Sequence, residues 1–248
     1  TLSESLEDVD DSKKTVPNDT AEWQNIQIGH IWQGENKYFW TKTTLKIPND
    51  FEEEVLLFDL GLLGNLKHTG IEAMLFIDGY PYQGVDAHHQ EIFLDPKYKG
   101  KEVQIALRLW TGLPGRKGNS QDPMLHIFKM ADIASVDKKV DELYYLVKNG
   151  VETLSLLAND DPQRINLLNS LDLALRKLDW SDPGSENFYQ SCYQAKKELE
   201  LSLRSLKENK PKYTVNGIGH THIDLAWLWQ IKHTKQKAAR SFSTVLRL

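Results

Sequence analysis

Three residues near the carboxyl end of the chain, His220, His222 and Asp224, stand two apart in Gly217-Ile218-Gly219-His220-Thr221-His222-Ile223-Asp224. In an extended backbone, side chains two apart share one face. Two imidazoles and a carboxylate would therefore converge where the apolar run Tyr213 to Ile218 gives out. Nitrogen and oxygen donors aimed at one point suit a divalent ion such as zinc. Gly217 and Gly219 let other groups approach the backbone closely. The apolar Leu225-Ala226-Trp227-Leu228-Trp229 follows at once, and polar groups beside that much apolar surface need partners. The competing reading is a solvated loop whose histidines bond to backbone. By spacing alone, His-x-His at a strand end also suits a metal-dependent amidohydrolase in which both histidines bind the ion. Trp227 and Trp229 point instead to a sugar, whose C–H-rich face packs on an indole. Plain core packing is the alternative for each.

The elements ahead of this cluster must position it. The chain has 248 residues, enough for one large domain or two modest ones, with 40% hydrophobic and 26% charged residues. A net charge of -5 without a long Lys/Arg run leaves no electrostatic footprint for nucleic acid. No apolar run is long enough to span a membrane, and the polar, acidic start does not resemble a signal peptide. One cysteine, Cys192, can form no internal disulfide, which fits a reducing, cytoplasmic setting. The helical pattern running into Leu248 without a stop signal reads as a fragment.

Residues 1–22 carry little apolar periodicity and read as an acidic, flexible arm. From 23 to 131 the period is that of strands. Val103, Ile105, Leu107 and Leu109 alternate with Gln104, Ala106 and Arg108, while Ile71 to Ile77 carries apolar residues on both faces. Further strands are expected at Ile26 to Trp32, Tyr38 to Ile47, Val55 to Leu60, His89 to Leu94 and Leu125 to Met130. Turns are expected at Pro48-Asn49-Asp50, Asp78-Gly79-Tyr80-Pro81, Asp95-Pro96 and Leu113-Pro114-Gly115. About seven short strands without interposed helices predict an antiparallel β-sandwich, or jelly roll.

Over 132–209 the period becomes helical and predicts a hairpin or bundle connector. One helix carries Val136, Val140, Leu143, Val147, Val151 and Leu154, with Gly150 expected to weaken or bend it. A second opens with Asp161 as N-cap and Pro162 at its first position, and its expected inner face is Ile165, Leu168, Leu171, Leu175 and Leu178. A third turns Phe188, Cys192, Ala195, Leu199, Leu203 and Leu206 inward, so Cys192 reads as a core filler. Asn209-Lys210-Pro211 breaks the pattern. Residues 210–248 then predict a strand over Tyr213 to Ile218, the polar loop, and a helix capped by Thr234 with Ala238, Phe242 and Val245 on its inner face. That order is the first β/α unit of an α/β, barrel-like catalytic domain, where sites form at the carboxyl ends of strands. The turn holding Asp86, His88 and His89 is a weaker candidate for the rim of a sugar site.

The stretch Gly219 to Trp229, continuing through Thr234 to Leu248, resembles the start of the catalytic domain of glycoside hydrolase family 38 α-mannosidases, in the flavour of its bacterial and cytosolic branch. Phe76 to Ile92 is similar to the N-terminal β domain of that branch. The resemblance implies the N-terminal part of a retaining exo-α-mannosidase that uses zinc, with cobalt able to serve, on mannose-containing oligosaccharides. It implies that His222 and Asp224 bind the metal, that Trp227 lines the terminal-mannose subsite, and that His220 stands behind the ligands. The family's nucleophile, acid/base and remaining histidine ligand would lie beyond Leu248, so no catalytic residue is expected in this fragment, which should be inactive alone. Homo-oligomerisation is left open. A carbohydrate-binding module without catalysis remains the non-enzymatic alternative.

Overall fold

The computed structural model describes residues 2–5, 16–18, 21–61, 71–113, 125–206 and 214–247. Among the described residues, ten strands and four α-helices follow in order: β1 (Leu2–Ser5), β2 (Ile31–Gln33), β3 (Tyr38–Lys46), β4 (Glu54–Asp59), β5 (Glu72–Ile77), β6 (Tyr80–Val85), β7 (Glu91–Phe93), β8 (Glu102–Trp110), β9 (Leu125–Ile127), β10 (Met130–Ser135), α1 (Lys138–Leu156), α2 (Pro162–Leu175), α3 (Glu186–Leu206) and α4 (Ile231–Val245). Pro114, Gly115 and Asn209 to Tyr213, which carried a turn, a helix break and the start of a strand in the expectations above, lie outside the described residues.

A five-stranded sheet in the order β1-β3-β8-β5-β6 and a three-stranded sheet β10-β4-β7 form the sandwich, with β2-β9 as a small third sheet. Every pairing is antiparallel. Alternation on β8 places Val103, Ile105, Leu107 and Leu109 in the core with Ala73, Leu75 and Ile77 of β5 and Leu56, Phe58 and Ile92 of the facing sheet. The opposite face of β5 and β8 is also buried. Met74, Phe76 and Ala106 pack with Trp40 and Val16, with Trp23 against them, so Ile71 to Ile77 is covered on both sides as its composition implies.

The arm expected over 1–22 differs in part. Leu2–Ser5 pairs with Tyr38–Thr41 as an edge strand, because β3 would otherwise leave a row of backbone groups unpaired. Strand β6 is also missed by the sequence reading, which takes Asp78 to Pro81 wholly as turn. Asp78 and Gly79 alone make the turn, both at positive φ (50° and 82°), the two-residue hairpin geometry that suits strand twist. Pro81 enters the strand at a register shift opposite Leu75/Phe76, on the sheet's edge where a missing N–H costs least. The last expected strand, Leu125 to Met130, divides into β9 and β10.

The contacts of the chain gather residues 1–135 and 219–248 into one compact unit and residues 136–218 into a second. The sequence reading instead sets 210–248 apart. In the second unit, α1, α2 and α3 bury Leu143, Leu154, Leu167, Leu171, Ala174, Cys192, Ala195 and Leu199 together. Asp161 caps α2, accepting from Gln163 N at 2.8 Å. Gly150 neither ends nor breaks α1. A Cβ there would meet Leu171 Cδ2 at 3.0 Å, so the glycine permits close approach of α2. The inner face of α2 is Leu167, Ser170, Leu171 and Ala174, whereas Ile165 and Leu168 are exposed. Leucines around most of that helix made two faces equally apolar by spacing. Burial raises the pKa of the Cys192 thiol, in keeping with a packing role.

The strand expected over Tyr213 to Ile218 is absent across its described part. Residues 214–218 form no ladder, and Val215 and Ile218 are exposed. A parallel strand is held by its neighbours, and no described strand pairs with this one. Of the expected β/α unit, the described residues show a loop and a helix but no strand.

Candidate functional site

Helix α4 seats on β6, and it does so by a polar face. His233, Lys237, Arg240 and Thr244 recur at steps of four, three and four, the spacing of one helical side. His233 and Thr244 are buried, whereas Phe242 and Val245, expected inside, are exposed. Gly84 N donates to Thr244 Oγ1 at 3.1 Å, and that hydroxyl donates to Arg240 O at 2.9 Å. A Cβ on Gly84 would lie 3.0 Å from Thr244 Oγ1 and 3.2 Å from Arg240 Cβ, so the strand needs glycine for the helix to come this close. Glu72 on β5 receives Lys237 Nζ at 2.6 Å and also the Arg240 guanidinium. Burial lowers the pKa of Arg240 to about 10 and lowers that of Lys237, the latter opposed by Asp86.

His233 stacks on Trp110 with ring centroids 4.9 Å apart. Its Nδ1 accepts from Gln230 N at 3.1 Å, which leaves Nε2–H to donate to Asn36 Oδ1, also at 3.1 Å. Gln230 is the N-cap of α4. Thr234, expected there, lies one turn inside and turns back on the preceding loop. Its hydroxyl donates to Leu225 O at 2.5 Å and accepts from Trp229 Nε1 at 3.0 Å. Trp229 in turn lies edge-on to Trp227, centroids 5.6 Å apart, and under Lys237 Nζ at 4.7 Å. The helix therefore holds the loop that carries the polar triplet.

On that loop His222 Nε2 lies 3.2 Å from Asp224 Oδ1, with 75% and 40% of the two side chains exposed. The His220 and His222 rings are 6.1 Å apart and tilted. His222 and Asp224 thus share a hydrogen bond, and His220 stands near His222. Among the described residues no three His, Cys, Asp or Glu side chains converge as a metal site. A cleft of about 430 Å³ opens between the loop, α4 and the β6–β7 turn, and His220, His222, Trp229, Lys237, Asp86 and His89 help to line it. Trp229 reaches this cleft, whereas Trp227 is 66% exposed and does not.

Sequence reasoning named the β6–β7 turn only weakly and took no account of Glu72, Lys237 or Arg240. The turn is ordered by Asp86, whose Oδ1 accepts from His88 N at 2.8 Å and from His89 N and His89 Nδ1, both at 3.0 Å. His88 itself is exposed. The signal that could have disclosed α4's docking was the 4-3-4 spacing of His233, Lys237, Arg240 and Thr244, which an apolar-period search passes over.

Comparison with known proteins agrees with this architecture. The family model described as the alpha-mannosidase jelly roll domain matches residues 6–130, and that of the glycosyl hydrolases family 38 N-terminal domain matches residues 212–248. The chain is 22% identical over 237 residues to alpha-mannosidase G of Dictyostelium discoideum, covering 90% of this chain and 20% of that protein. It is 26% identical over 191 residues to alpha-mannosidase 2C1 of Mus musculus, covering 71% of this chain and 17% of that protein. A 37-residue stretch is 51% identical to alpha-mannosidase 2C1 of Homo sapiens, 15% of this chain and 4% of that protein. The chain thus joins a jelly roll to a His-x-His-x-Asp loop anchored by a helix. The chain belongs to the α-mannosidases of glycosyl hydrolase family 38, and it spans about a fifth of the length of the first two relatives.

Proposed function

We propose that this chain is the N-terminal part of a metal-dependent, retaining exo-α-mannosidase that removes terminal α-mannose from oligosaccharides in the cytoplasm. The observation that carries the reading is the His222–Asp224 pair, held beside a cleft by α4 within the segment matched by the family 38 domain. The pair fits half of a zinc site. Two donors at roughly 2.0–2.1 Å from one ion, set at a tetrahedral angle, stand about 3.3 Å apart, and His222 Nε2 and Asp224 Oδ1 are separated by 3.2 Å. Cobalt would accept the same nitrogen and oxygen donors. A bound divalent ion would supply Lewis-acid stabilisation of charge at the sugar oxygens.

The chain's own residues do the rest of what this segment contributes. His222 Nε2, on giving up the proton it shares with Asp224, and the Asp224 carboxylate would offer their lone pairs from a loop that Thr234 fastens at Leu225 and Trp229. His220, next to His222, would steady it from behind, and Trp229, on the cleft wall, would present indole surface to a pyranose, with Trp227 packed edge-on beside it. Retaining hydrolysis requires two carboxyl groups flanking the scissile bond. On the resemblance to family 38, Asp224 serves the metal, and the nucleophile and acid/base come from parts of the longer protein beyond the matched segment. On that account the 248-residue chain alone binds but does not cleave.

The test uses the longer protein with an aryl α-mannoside. Mannose release should be abolished by a strong chelator and restored by zinc or cobalt, and H222A or D224A should abolish turnover with the fold intact. Full activity in chelator, or near-normal turnover by either variant, would reject the metal role.

A further inference from the structure

Asp86 and His89 face the same cleft as the His-x-His loop, yet nothing in the proposed metal chemistry uses them. Two backbone N–H groups, those of His88 and His89, pin the Asp86 carboxylate, and the same oxygen receives His89 Nδ1 at 3.0 Å. A carboxylate can only accept, so Nδ1 carries the proton, and in the uncharged form of the ring that leaves Nε2 as an acceptor. The ring is half-buried rather than free to swing, with 40% of its side chain exposed. The turn also has a fixed place relative to the loop, because Gly84, two residues before Asp86, is bonded to α4 and α4 holds the loop.

The charge of the cleft argues for the class of ligand. Lys237 and Arg240 contribute two cations, Glu72 and Asp86 two carboxylates, and Glu72 already engages both cations. No charge excess is left to attract a phosphate or an acidic sugar. Trp229 adds an aromatic wall, and about 430 Å³ lies within the size of small-ligand pockets, roughly 300–1,000 Å³. Apolar wall, balanced charge and a fixed acceptor together suit a neutral, hydroxyl-rich ligand.

We propose that His89 is a substrate-contacting residue of the jelly roll, its Nε2 accepting a hydrogen bond from a hydroxyl of a neutral glycan in the cleft, with Asp86 as its positioning residue. The inference rests on reading the cleft as a mannoside site. It makes the β-sandwich part of the binding surface as well as support for the catalytic segment.

The test is a titration of the intact 248-residue chain, labelled with ¹⁵N in its histidine rings, with methyl α-mannoside and an α-linked mannobiose. A saturable shift of the His89 ring signals is expected, with Kd at least fivefold higher in H89A, partly restored in H89Q, and at least fivefold higher for a glucuronide. D86N should change the ¹⁵N tautomer signature of His89 and weaken binding while the amide spectrum stays native. A His89 signal unmoved by either saccharide, H89A binding as wild type, or equal affinity for the glucuronide would overturn the proposal. Saccharide shifts at His89 without mannose release by the longer protein would leave the contact standing and sink the mannosidase reading. Mannose release with a silent His89 would do the reverse.

Discussion

The backbone N–H of Gly84 donates to Thr244 Oγ1 over 3.1 Å, bonding an edge strand of the jelly roll to a helix 160 residues further along the chain. The edge strand is an exposed liability in any sheet, and here a helix covers it. The contact depends on one residue lacking a side chain and another offering a hydroxyl, and it fixes the helix that anchors the His-x-His loop.

Gly84→Val should therefore lift α4 from the sheet. Its branched side chain has no room against Thr244 and the Arg240 backbone, and overpacking of this kind costs about 1–3 kcal/mol. Thr244→Val keeps the volume but leaves the Gly84 N–H without its acceptor, a loss of about 1–3 kcal/mol. Denaturant midpoints should fall in both, with amide exchange in α4 accelerated first. Unchanged exchange there would show that the helix does not depend on this bond.

Glu72→Gln should destabilise the same junction more strongly. Burial brings the Arg240 pKa down to about 10, which still leaves it charged at neutral pH. Removing the carboxylate it shares with Lys237 strands buried positive charge, at a cost of about 3 kcal/mol or more. Urea denaturation at pH 7 measures this, and the loss should shrink in E72Q/R240M, where one of the stranded charges is removed.

His126 should make the protein less stable in acid. The residue is fully buried, and no side chain among the described residues bonds to either ring nitrogen. Burial lowers its pKa below 6.5, with the Thr111 backbone opposing. The unfolded chain thus takes up a proton near pH 6.5 that the folded chain refuses. Stability contributed by the neutral ring is present above that pH, declines as pH falls below it, and levels off once pH drops past the folded-state pKa. The slope for one group is at most about 1.4 kcal/mol per pH unit. Denaturation between pH 7.5 and 5 should show the decline, and H126N should flatten it.

Asp161→Ala should cost the helical unit about 1 kcal/mol through loss of the α2 N-cap, which accepts from Gln163 N. Circular dichroism melting measures the shift, and D161S should recover most of it.

The chain by itself should release no mannose from an aryl α-mannoside and should bind zinc weakly, since the two proposed ligands, His222 and Asp224, would leave most of the coordination sphere to water. Calorimetry with zinc alone checks the second point. Turnover by the isolated chain would show that it contains a carboxyl pair able to act.

Much of this was legible in the residues. Period two on β8 and period three to four on α1 and α3 reflect burial of apolar side chains against a neighbouring layer, and that pattern is local enough to read directly. The Asp161-Pro162 start of α2 and the core placement of Cys192 follow from equally local chemistry. The His-x-His-x-Asp spacing, with its tryptophans, was sufficient to suggest the family, because the motif is written in consecutive residues.

Tertiary structure decided the remainder. Strand β6 hid behind Pro81, and only the edge position and register shift make a proline tolerable there. Helix α4 was assigned the wrong inner side because its buried face is polar, and His233, Lys237, Arg240 and Thr244 can be buried only where Asn36, Trp110, Glu72 and Gly84 wait to pair with them. The same long-range pairing brought Asp86 and His89 to the cleft and put Trp229 rather than Trp227 on its wall. Apolar burial is announced by period along the chain, but polar burial needs a partner, and the partner's identity exists only once the chain has folded.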